Sequence, residues 1–166
     1  MRILFPGALF VSAILASGAT LADGMKPGQW EVARSGSVLA NLHAGMERMP
    51  PEARKAMEEA IKSQNAAFAG DSGKLVNRVC VTAEQAAEYR FAGNDPKQSS
   101  CKWQKPEREG QTVRVGAQCP GARVEGVLNF SSDTGFTGSW TSWLKDAPGP
   151  MKEDLVGKWL GAKCGS

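Results

Sequence analysis

Residues 112–144 read TVRVGAQCPGARVEGVLNFSSDTGFTGSWTSWL, and this stretch decides the fold. Val113, Val115, Ala117 and Cys119 recur at every second position, the period of a strand with one buried face. Pro120 and Gly121 then signal a turn. Val124, Gly126, Leu128 and Phe130 repeat the alternation, SSDTG reverses the chain again, and Phe136, Gly138, Trp140, Ser142 and Leu144 carry it onward. Three strands joined by short turns are antiparallel neighbours, so the stretch predicts a meander. Gly116, Gly126 and Gly138 lie inside these strands, which favours a sheet that bends over one that stays flat.

Working outward, a strand starts at Cys101–Lys105 and is broken by Pro106, and another runs over Lys74–Val81. Thr82 and Gln85 form the capping box of a short helix after it, and GNDPKQSS at 93–100 is a loop. A first strand is expected over Gln29–Val38, with Trp30, Val32 and, less cleanly, Arg34 on one face. A closing strand is expected over Val156–Leu160, after the loop KDAPGPMKED. Between the first strand and Lys74 the period changes. Leu39, Leu42, Met46 and Met49 recur at three and four residues up to Pro50. Beyond it Ala53, Met57, Ala60, Ile61, Gln64 and Phe68 form a stripe opposite Arg54, Lys55, Glu58, Glu59 and Lys62, with Gly70 as a stop. The expected architecture is therefore mainly β with a helical insertion at about 39–70. About seven antiparallel strands form a strongly curved sheet or incomplete barrel.

The first 22 residues, MRILFPGALFVSAILASGATLA, hold one charge, Arg2, an apolar stretch and then small residues, the pattern of a secretory signal peptide. Cleavage is expected before Asp23, or else after Ala19, leaving residues 23–166 as one exported domain. Its apolar part falls short of a bilayer span, and no transmembrane segment is expected in the exported part. Export would place Cys80, Cys101, Cys119 and Cys164 in an oxidising compartment, where an even count reads as two disulfides. No C-x-x-C spacing argues for a metal instead. The favoured pairing is Cys80 with Cys101, between neighbouring strands, and Cys119 with Cys164, tying back the C-terminus.

Twenty Lys and Arg against 17 Asp and Glu leave a formal charge of +3 with no long run of one sign, so no nucleic-acid partner is expected. A single histidine, His43, removes most His-dependent metal and nucleophile arrangements. Glu31, Glu125 and Asp133 could meet across a sheet, but alternation puts Glu31 and Glu125 on the polar face. The chain is accordingly expected to be non-catalytic and to need no cofactor.

Five tryptophans against one tyrosine is the uneven feature. Trp30, Trp103, Trp140 and Trp159 fall in expected strands, where they either line an apolar cavity or fill the core. Trp143, three residues from Trp140, must point to the other face. Met57, Ile61 and Phe68 need an apolar partner, and the tryptophan-bearing face is the large one available, so the insertion is expected to lie over it as a lid. A different chemistry is open to His43, Met46 and Met49, because imidazole and thioether at helical spacing suit Cu(I). Against it, Met46 and Met49 also continue the Leu39–Leu42 packing stripe.

MKPGQWEV at 25–32, CVTAEQA at 80–86, CKW at 101–103, the C-x-G step at 119–121, VEGVLNF with the later GFTGSW, and GKWLGAKCG near the end together resemble the exported bacterial family numbered 3617 among domains of unknown function. The resemblance implies a periplasmic protein of a Gram-negative bacterium with no assigned activity, and it carries over no functional residues. Three functional classes remain: a domain binding an apolar small molecule or lipid between sheet and insertion, Cu(I) handling, or an envelope structural or protein-interaction role with Trp143 at the contact.

Overall fold

The computed structural model of the chain describes residues 24–91 and 100–165. The signal-peptide reading of residues 1–22 and most of the 93–100 loop lie outside the described residues. In chain order the elements are β1 (Gly28–Ser35), α1 (Ser37–Glu47), α2 (Pro51–Lys62), β2 (Ala66–Ala69), β3 (Lys74–Val81), α3 (Ala83–Ala87), β4 (Lys102–Trp103), β5 (Glu107–Glu109), β6 (Thr112–Cys119), β7 (Ala122–Ser132), β8 (Gly135–Leu144) and β9 (Met151–Gly161). The strands form one open antiparallel sheet in the order β2-β3-β1-β9-β8-β7-β6-β4, with β5 also on β6. The meander expected from 112–144 is β6-β7-β8, and β9 extends it. Among the described residues no helix is long and apolar enough to cross a membrane.

The inner face of the curved sheet is the core. Trp30, Val32, Val81, Val113, Val115, Leu128, Phe136 and Leu155 are buried on it, and Met25, Ala86 and Tyr89 close it from the N-terminal segment and the α3 end. Curvature brings side chains of separated strands together. Trp30 on β1 and Phe136 on β8 stand 5.8 Å apart although β9 runs between them. They meet because position 157 of β9 has no side chain, and a Cβ there would sit 1.8 Å from Phe136 Cε1. The same device recurs at Gly126, where a Cβ would lie 2.4 Å from Trp140 Cε3, so that indole lies across β7. The capping box of α3 forms as expected: Gln85 N–H donates to Thr82 Oγ1 at 3.1 Å, and Thr82 N–H donates to Gln85 Oε1 at 2.9 Å.

Three expectations are corrected. The disulfides join Cys80 to Cys164 and Cys101 to Cys119, not Cys80 to Cys101 and Cys119 to Cys164. The reason is strand order: β3 has β2 and β1 as neighbours, whereas β4 pairs with β6, whose last residue is Cys119. Cys80 lies opposite Gln29, and Gln29 lies opposite Gly161, which delivers the C-terminal segment to β3. The helical insertion ends at Lys62, and Phe68 belongs to strand β2. Asn65 takes a left-handed φ of 54°, which breaks the helix, and Ala67 and Phe68 then pair with Val76 and Leu75. Finally, β9 starts at Met151 rather than Val156, because the ion pair described below lets Glu153 sit at an inward position.

Candidate functional site

The tryptophans separate into two groups. Trp30 is fully buried and its indole N–H donates to the Lys26 carbonyl at 2.8 Å. The Trp159 N–H donates to the Pro27 carbonyl at 3.1 Å, with Lys26 Nζ 5.2 Å from its ring. Lys26 also pairs with Asp133 at 2.8 Å, and the Gly165 N–H reaches Gln29 Oε1 at 2.9 Å. The KPG-x-W, KW-LG and CG landmarks therefore converge with the Cys80–Cys164 bridge on one corner. There they clasp the N-terminal segment to β9, which is a structural task.

Trp103 and Trp140 form the second group. Their rings stand 6.4 Å apart at 51°, both half-buried, at the end of the inner face away from the clasp. Register aligns Trp103, Ala117, Val124, Ser142 and Met151 in one row across β4, β6, β7, β8 and β9. Ala117 beneath Trp103 and Gly126 beneath Trp140 are small, so the rings lie over the sheet instead of standing off it. Along the other side runs α1. Its Leu39 and Met46 are buried, Ala40 meets Gly73 at the start of β3, and His43 packs on Phe68 at 4.9 Å. Helical spacing then turns the opposite flank, with Val38 and Leu42 at 40% and 38% exposed, toward β9 and β8. The result is a shallow apolar trough between α1 and Trp103.

One ion pair interrupts it. On the inner face Glu153 lies directly opposite Trp140, and Arg34 donates to Glu153 Oε2 from Nε at 2.9 Å and from Nη2 at 2.6 Å. Sequence reading passed over Glu153 and noted Arg34 only as an imperfect strand position. The available signal was phase: Arg34 follows Trp30 and Val32 at two-residue steps, and Glu153 precedes Leu155 and Gly157 in the same way.

The remaining candidates are dispersed. Met57 and Ile61 are half-buried on α2, which has no buried residue and rests on β2 and α1. Of the two helices it is α1 that lies against β1, β3 and β9, so the wall of the trough is α1. Phe68 sits under His43 on β2. Met46 is buried and Met49 lies past the end of α1. Among the described residues no three His, Cys, Asp or Glu gather as a metal site. Glu31, Glu125 and Asp133 are held apart by Arg78, Arg123 and Lys26 respectively. Trp143 is on the outer face under Arg123, 4.5 Å from its ring, opposite in direction to Trp140 as alternation required. A recess bounded by Tyr89, Arg108, Gln111 and Phe130 encloses about 40 Å³, room for ordered water and far below a lipid.

A family model described as a protein of unknown function, DUF3617, matches residues 25–164. No curated protein and no solved structure matches the chain.

Proposed function

Because the chain belongs to the DUF3617 family, whose function is unknown, we propose its role from geometry: an exported, non-catalytic binding domain that holds an apolar small molecule or lipid chain in the trough between α1 and Trp103. The observation that carries this reading is the Trp103–Trp140 pair, two half-buried indoles over small residues and facing the exposed Val38 and Leu42. Rings of this kind, walled on one side and open on the other, supply large apolar contact area at little conformational cost. The signal-peptide pattern of residues 1–22 and the two disulfides support export into an oxidising compartment, and the family resemblance points to the periplasm.

Native mass spectrometry of the mature protein with dodecanol, together with quenching of tryptophan emission by a brominated alkyl chain, tests the site. A one-to-one adduct and quenching that both vanish in a Trp103→Ala, Trp140→Ala double variant are expected. Equal binding by that variant, or no adduct in the parent protein, refutes the trough as a binding site.

A further inference from the structure

Along β1, β9, β8 and β7 the inner face is uncharged except at Arg34 and Glu153. Both contacting donors of Arg34 converge on Oε2, so Nη1 of Arg34 and Oε1 of Glu153 have no protein partner among the described residues. The side chains are 38% and 13% exposed, so the pair is reachable from the trough. Glu153 is also the direct cross-strand neighbour of Trp140, close enough for carboxylate and indole to address one ligand group together.

An ion pair with one open donor and one open acceptor complements a head that itself carries both charges. An anionic group can take Nη1, and an ammonium can take Oε1 and the Trp140 π face. A head with a single charge meets its like charge at the same place: an anion faces Glu153 and a cation faces Arg34. From this point the row Met151, Ser142, Val124, Ala117, Trp103 leads away across five strands, roughly 19 Å at the usual strand spacing, and it is one side chain wide.

Resting on the trough reading above, we infer that the occupant is a single-chain zwitterionic amphiphile of the lysophospholipid type. Its phosphate lies at Arg34, its ammonium at Glu153 and Trp140, and its acyl chain runs along the row to Trp103.

The experiment compares four twelve-carbon probes below their micelle concentrations on the mature protein: dodecylphosphocholine, laurate, dodecyltrimethylammonium and dodecanol, titrated by tryptophan emission and calorimetry. Dodecylphosphocholine is expected to bind about tenfold more tightly than either singly charged probe, the worth of one charge-assisted hydrogen bond. Glu153→Gln should cost it about that factor while improving laurate, and Arg34→Gln should do the reverse for the cationic probe. The two variants are read independently, so failure of one to fold leaves the other decisive. Equal binding of all four probes, or no change on Glu153→Gln, overturns the head-group inference while the trough reading stands. Binding of none of them overturns both.

Discussion

Removing the two disulfides separately should have unequal consequences. Cys80–Cys164 spans 84 residues and Cys101–Cys119 spans 18. In the chain-entropy account a bridge stabilises by narrowing the unfolded ensemble, with a cost of loss that rises as the logarithm of the span. That relation gives about 4.6 kcal/mol for the long loop and about 3.2 kcal/mol for the short one, a difference of about 1.4 kcal/mol. Native packing works in the opposite direction, because Cys80 and Cys164 are exposed whereas Cys101 and Cys119 are half-buried. The comparison therefore sets unfolded-state entropy against native contacts. Alanine pairs at 80/164 and at 101/119 can be unfolded in urea under identical conditions, each against the parent protein. With a slope of about 1.5 kcal/mol/M the 80/164 variant should have its midpoint roughly 1 M below the 101/119 variant. A 101/119 variant that is equally or more destabilised would refute the entropic ordering and assign the larger effect to packing around β4 and β6. Peptide mapping without reduction should recover the 80–164 and 101–119 pairs, and any crossed pair contradicts the strand order itself.

Three further outcomes follow from the packing. Trp30→Ala, at a fully buried position with its indole bonded to the N-terminal segment, should cost about 3–5 kcal/mol by thermal unfolding; a loss under about 1 kcal/mol would show that the clasp is not part of the core. Gly157→Ala should force Phe136 from its place over β9 and destabilise by about 1–3 kcal/mol, and an unchanged melting temperature would mean that the ring relaxes freely. The two insertion helices should differ: Leu39→Ala with Met46→Ala on α1 should cost several kcal/mol, whereas Met57→Ser with Ile61→Ser on α2 should stay within about 1 kcal/mol. Cooperative loss of the sheet in the α2 variant would show that α2 belongs to the core.

Local periodicity made β6, β7 and β8 legible, because each strand alternates cleanly and short turns force its neighbours to be antiparallel. The Thr82–Gln85 cap and the opposite facing of Trp140 and Trp143 are likewise local rules, needing only a few consecutive residues. Where the local signal was weak, the outcome depended on partners far away in the chain. AAFA at 66–69 has no alternation of its own and became a strand because β3 offered it an edge. Glu153 took an inward place because Arg34, 119 residues distant, neutralises it there. The disulfides are of the same kind: four cysteines in an exported chain imply two bridges, but the pairing follows from strand order, which places β9 and the C-terminal segment beside β1 and β3. The trough has the same origin. Trp103 and Trp140 are ordinary strand residues in the sequence, and their meeting over Ala117 and Gly126 exists because four strands curve and two positions beneath the rings are small. Side-chain period and turn chemistry are properties of neighbours along the chain, whereas strand order, ion-pair compensation and ring contacts are properties of neighbours in space, and the latter took shape only when the sheet closed on its core.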